Sequence, residues 1–196
     1  MSFKLYLKNV AKQTEMILKT KYGLWLLAVI SFFESALLAP IITDPFMIIY
    51  MLANRTRAVA AVVVTVGSSV FGGFIAYLLA TSFYFFVTQY FSPEALAELD
   101  NVIIQFQDGT FWITIFGAIT PVPYTLVALG AGFVQGNIVV FLLASIIGRS
   151  IRYGVVGYVT YYFGPQMLEQ IEKRLQLFTI ISVILVILYF IYYFLY

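Results

Sequence analysis

Neither cysteine nor histidine occurs anywhere in the 196 residues. Without cysteine there is no disulfide framework and no thiolate ligand for a metal. Without histidine there is no imidazole ligand and no Ser–His or Cys–His nucleophile pair. Charge is scarce as well: 10% of the residues are Asp, Glu, Lys or Arg, where a soluble domain carries roughly a quarter. No polar linker divides the chain, so a single domain is expected. What fills the space is apolar, with 62% hydrophobic residues, 18% aromatics and a mean hydropathy of +0.97. These absences exclude a water-soluble fold and leave little for hydrolytic chemistry. An all-α integral membrane protein is expected, not an enzyme, with no cofactor and no metal. The net charge of +2 sits mainly near the N-terminus and bears on membrane orientation rather than on nucleic acid.

Residues 1–22 read as a basic amphipathic interfacial helix. Phe3, Leu7, Val10, Ile17 and Leu18 share one face, with Lys4, Lys8, Lys12, Lys19 and Lys21 around the rest. These mixed residues lack the form of a cleavable signal peptide. A bilayer core needs about 20 helical residues to cross, and two apolar runs do not fit. The first, from Gly23, is broken by Pro40, Asp44 and Pro45 and resumes only to Ala53. The second, Phe111 to Val134, is broken at Pro121-Val122-Pro123. Each is expected to be a re-entrant hairpin with both ends on one side of the membrane.

The charges support that topology. It puts the N-terminal lysines, Arg55 and Arg57 together on the cytoplasmic side. A loop holding Glu94, Glu98, Asp100 and Asp108, without Lys or Arg, falls outside. Ala58 to Phe91 and Asn137 to Phe163 would cross, and after a cytoplasmic loop the uncharged run Leu177 to Tyr196 would cross again. The expected plan is two re-entrant hairpins of opposite orientation plus three to four spanning helices. Residues 23–164 form the membrane domain, with repeat one at 23–91 and repeat two at 111–164, and residues 165–196 hold the loop and last helix. An offset of 81 residues carries Pro40 to Pro121, Gly67 to Gly148, Ser69 to Ser150, Gly73 to Gly154 and Tyr77 to Tyr158. Together with hairpins entering from opposite faces, this suggests the inverted repeat common in transporters. Gly67, Gly72, Gly73, Gly148 and Gly154 are candidate helix-packing positions.

Only Glu34, Asp44, Arg149 and Arg152 are ionisable within the apolar runs, and each costs at least a few kcal/mol in a spanning helix unless paired or hydrated. Their formal charges cancel, which predicts a buried polar cluster between the repeats. The bland reading is glue between hairpin and helix. The functional reading gives the acids a proton-coupling role and the arginines a phosphate-binding role.

Glu34-Ser35, Pro40-Ile41-Ile42-Thr43-Asp44, Thr120-Pro121-Val122-Pro123-Tyr124 and Gly148-Arg149-Ser150-Ile151-Arg152-Tyr153 together resemble the DedA superfamily, which shares the VTT or SNARE-associated Golgi protein domain, in its YqaA-like branch. The resemblance covers roughly Gly23 to Gly164. It implies facing re-entrant hairpins and a flippase or scramblase of phospholipid or polyprenyl phosphate, linked to the proton motive force in the bacterial inner membrane, with the N-terminus cytoplasmic. It also implies that Glu34 and Asp44 are the membrane acids and Arg149 and Arg152 the basic pair of this branch. The sequence departs from the family where Ala118 and Tyr124 replace two arginines around the second hairpin proline. Membrane lipids and protons are the expected partners, with homo-oligomerisation open and no nucleic acid. The alternatives are a proton-coupled carrier of a small solute or cationic drug, a membrane enzyme for which no nucleophile–base pair is present, and a structural assembly protein.

Overall fold

A computed structural model describes residues 16–164 apart from 19, 21, 38–41, 108 and 121. Most of the N-terminal segment, all of 165–196, and Pro40 and Pro121 therefore lie outside the described residues. Seven α-helices follow one another: α1 (Gly23–Ala36), α2 (Thr43–Ala53), α3 (Ala58–Thr88), α4 (Pro93–Gln107), α5 (Thr110–Ile119), α6 (Tyr124–Phe133) and α7 (Ile138–Phe163). A single 3-10 turn at Arg55–Arg57 leads into α3, and there is no strand among the described residues.

The order short, short, long occurs twice, and both short pairs fold back on themselves. A Cβ added at Gly23, where α1 starts, would lie 2.8 Å from the ring of Tyr50 near the end of α2. One added at Gly136, just past α6, would lie 2.6 Å from the hydroxyl of Thr110, where α5 starts. Pro45 falls inside the first turn of α2, not in the break itself. Its missing N–H is one that the first helical turn leaves unpaired anyway. Pro123 directly precedes α6 in an extended conformation, with ψ at 114°.

Among the described residues, two helices are long and apolar enough to cross a membrane: α3 with its leading turn, and α7. Only 33% of the apolar window of each is buried, whereas the core helix of a soluble domain would be mostly enclosed. Val59 is 77% exposed, Val63 63% and Val155 58%. The long helices run antiparallel, because Val62 meets Gly157, Ser69 meets Arg149 and Tyr77 stacks on Phe141. The first arm of each short pair packs on the long helix of its own half. Ser31 and Ser35 of α1 meet Thr65 and Ser69, and Ala118 of α5 meets Gly148. The second arms cross over: Tyr124 of α6 lies against Gly73 of α3, and Met51 of α2 against Gly157 of α7.

The 81-residue offset does not survive this packing. Ser69 and Tyr77 are buried, while Ser150 and Tyr158 are exposed. Gly148 is pressed against Ala118 and Gly73 against Tyr124, but Gly67 and Gly154 face open space. Gly67 and Gly154 are therefore not helix-packing residues, whereas Gly72, Gly73 and Gly148 are. An offset of 80 pairs buried with buried at six positions: Ala61 with Phe141, Thr65 with Ser145, Ser69 with Arg149, Gly73 with Tyr153, Tyr77 with Gly157 and Ala80 with Thr160. One residue turns a helix by about 100°, so matching letters one position out of phase rotates every pair off the packed face.

The acidic stretch expected as a loop is helix α4. Pro93 occupies its first position, and the Ser92 hydroxyl accepts from the Ala95 amide at 3.3 Å. Glu94, on the exposed first turn, has its carboxyl held below the ordinary range by its own backbone N–H and by Ser92. The α4 helix is tied to α3 where the Tyr84 hydroxyl reaches Asp100 at 3.5 Å.

Candidate functional site

The end of α1, the start of α2, the α5–α6 break and the middle of α7 meet at one place, and the four charges of the apolar runs, Glu34, Asp44, Arg149 and Arg152, converge there. Arg149 stands eleven residues into α7, about 17 Å from its start, so an apolar helix shields it on both sides. Arg149 is completely buried. Its Nε donates to the Ser69 hydroxyl at 2.6 Å and its Nη2 to the Ser35 hydroxyl at 3.3 Å, and those two hydroxyls are 2.7 Å apart. Glu34 Oε1 lies 3.8 Å from Nη2.

Two rings clasp the same guanidinium, Tyr124 at 4.5 Å and Tyr153 at 4.9 Å. Such contacts reach ~2 kcal/mol or more when desolvated. The arrangement explains how a full charge is held in an apolar interior: opposite charge, hydroxyl acceptors and π faces replace water on nearly every side. Tyr124, on α6, supplies one of those faces. Tyr153 follows Arg149 by one helical turn, which puts both on the same side of α7.

Arg152 bridges the two breaks. Its Nη2 donates to Asp44 Oδ2 at 2.8 Å, and its Nη1 donates to the Thr120 carbonyl at 2.7 Å, a carbonyl left free where α5 stops. Glu34 does the reciprocal work at α2. Its Oε2 accepts from the Thr43 amide at 3.0 Å and from the Thr43 hydroxyl, placing negative charge at a helix N-terminus. Thr125 closes the ring from α6, donating to the Glu34 carbonyl at 2.6 Å and to the Leu37 carbonyl at 3.0 Å. The α1–α2 break thus has its free carbonyls satisfied by Thr125 of the other pair, while the Thr43 amide and the Thr120 carbonyl are satisfied within their own halves.

The pairs differ in access. Arg149 is sealed, while the side chains of Glu34 and Arg152 retain 13% and 12% exposure. Asp44 Oδ1, Arg149 Nη1 and the Tyr153 hydroxyl are buried without a partner among the described residues. Buried polar atoms of this kind ordinarily find water or a ligand oxygen. No group of His, Cys, Asp and Glu with metal-binding geometry occurs among the described residues. Sequence reasoning missed Ser35, Ser69, Thr43 and Thr125 as members of the site. Their only signal was a small polar side chain opposite an intramembrane charge. No family model, no curated protein and no solved structure matches this chain.

Proposed function

We propose that this chain is a membrane transporter of DedA-like architecture that moves a phospholipid or polyprenyl phosphate across the bilayer, with two re-entrant hairpins arranged as an inverted repeat. The observation that carries the reading is the Arg152–Asp44 pair at 2.8 Å, set beside a second pair at the meeting of two helix breaks. Two charges midway along a membrane-length apolar helix, paired with two at the ends of short apolar helices, are costly unless function requires them, and broken helices meeting at the midplane are how many transporters build a site.

The antiparallel long helices and the reciprocal packing of the short arms support the inverted repeat. Under the 80-residue offset the Tyr77–Phe141 contact maps onto that of Gly157 with the α3 segment at Ala61 and Val62, and the Ser69–Arg149 contact maps onto itself. A contact that maps onto itself belongs on a two-fold axis. The orientation keeps Arg55 and Arg57 on the cytoplasmic side of a bacterial inner membrane and α4 on the other.

In this reading Arg149 is a fixed strut, and Arg152 is the cation that receives a phosphate. A guanidinium offers paired donors to phosphate oxygens, and Arg152 already spends two on Asp44 and a backbone carbonyl. A proton taken up by Asp44 removes the competing negative charge and frees Arg152 for the headgroup. Release of the proton restores the pair, which links lipid movement to a proton gradient.

The test is transfer of fluorescent phospholipid between leaflets of proteoliposomes, with and without a pH gradient. Asp44→Asn should transfer lipid without responding to the gradient, and Arg152→Gln should lose transfer. Unchanged transfer and gradient response in both would overturn the assigned roles. Transport of a small cation that no amphiphile inhibits would instead identify a solute carrier.

A further inference from the structure

The outer seam between α3 and α7 carries a feature that the charge cluster does not use. An apolar groove of 580 Å³ runs between Val66, Val70 and Phe74 on one side and Leu142 and Ile146 on the other. A second segment of 430 Å³ continues it past Gly154 to Tyr158, Tyr161 and Tyr162, ending at Arg55. The two segments share Val62 and Val63, so they adjoin along the helix pair. Their floor is open because Gly67 and Gly154 have nothing within 4 Å of where a Cβ would sit. Neither glycine serves helix packing.

We infer that this groove binds one anionic phospholipid from the leaflet on the Arg55 side, its phosphate at Arg55 and one acyl chain running past Gly154 toward Gly67. The geometry matches that occupant. From Thr56 to Gly67 is about 17 Å of helix, close to the ~15 Å depth of one leaflet's hydrocarbon. The Arg55 end of the groove is basic, with Arg55 lining it and Arg57 in the same turn, and neither has a carboxylate partner among the described residues. Tyr158, Tyr161 and Tyr162 surround that end at the level where aromatic rings meet headgroups.

The chain's own segment 177–196 suits the groove less well, because it carries no charged side chain, and the acids of the stretch before it, Glu169 and Glu172, are matched in number by Lys173 and Arg174. A helix of matching 27 Å length and at least 10 Å breadth also displaces roughly 2,000 Å³, against segments of 580 and 430 Å³. The inference rests on the membrane reading above but not on transport.

Native mass spectrometry of the full chain in mild detergent, titrated with phosphatidylglycerol and with phosphatidylcholine of the same acyl chains, tests it. One phosphatidylglycerol should be retained in preference to phosphatidylcholine. Gly154→Leu, which fills the floor at a position where a side chain meets no neighbour, should weaken retention about tenfold. Arg55→Gln should weaken it about fivefold and erase the headgroup preference. Leu79→Phe, exposed on α3 away from the groove, serves as a control and should change nothing.

Equal retention in Gly154→Leu, or no preference for the anionic lipid, would overturn the inference. A disulfide forming between Gly67→Cys and a cysteine placed in 177–196, or between Gly67→Cys in two copies, would also overturn it by putting a helix in the groove. A protein that binds lipid here and transfers none would refute only the transporter reading, and one that transfers lipid with retention intact in Gly154→Leu would refute only the groove.

Discussion

The two broken helix pairs are built alike and equipped differently. The α1–α2 pair carries Glu34 and Asp44 on either side of its break, whereas α5–α6 carries no charge and offers the Thr120 carbonyl, the Tyr124 ring and the Thr125 hydroxyl. The positive partners come from neither pair but from α7, whose counterpart α3 has Ser69 where α7 has Arg149 and Gly73 where α7 has Tyr153. The order of short and long helices therefore recurs while the chemistry does not. One half presents ionisable groups, and the other supplies neutral acceptors and rings that hold a cation still.

The sharpest way to break this comparison is to remove the strut. Arg149→Leu leaves Glu34 without its buried partner and should cost about 3–5 kcal/mol, read as the shift of an equilibrium unfolding curve in mixed micelles. Arg152→Gln should cost visibly less, because the Arg152 side chain keeps contact with the outside whereas Arg149 is sealed. Equal losses would erase the distinction between strut and receiver.

Next in size is the neutral half's hold on the charged half. Thr125→Val removes both hydrogen bonds to the Glu34 and Leu37 carbonyls and should destabilise by about 1–3 kcal/mol in the same assay. The smallest pair of effects separates glycines that the sequence alone equates. Gly148→Ala forces a Cβ to within 2.6 Å of Ala118 and 3.2 Å of the Ile115 carbonyl, and should cost about 1–3 kcal/mol. Gly67→Ala meets nothing and should gain up to about 1 kcal/mol from helix propensity. A common sign for the two would contradict the 80-residue register.

Much of this arrangement was legible in the chain. Apolar runs too short to cross, each carrying prolines, marked the two breaks, and an apolar sequence with four ionisable groups forced those groups to find one another. What escaped were features set by rotation rather than by composition. Identical letters at an offset of 81 drew Gly67 and Gly154 into the packing set, although one residue's turn takes them off the face. Ser35, Ser69 and Thr125 carry no charge to announce them, and their role follows from what Arg149 and two broken helix ends need once buried. The α4 helix was hidden because its acids suggested solvent, while its Ser-Pro-Glu start was the stronger local signal.

The absence of cysteine makes the central claim directly measurable, since any single introduced thiol is the only one present. The claim is that each short pair enters and leaves on one side of the membrane. Tyr22→Cys and Thr56→Cys flank the first pair, and Gly109→Cys and Asn137→Cys flank the second. Labelling with an impermeant maleimide in oriented vesicles should modify the first two from one side and the last two from the other. Tyr22→Cys and Thr56→Cys reacting from opposite sides would contradict the account.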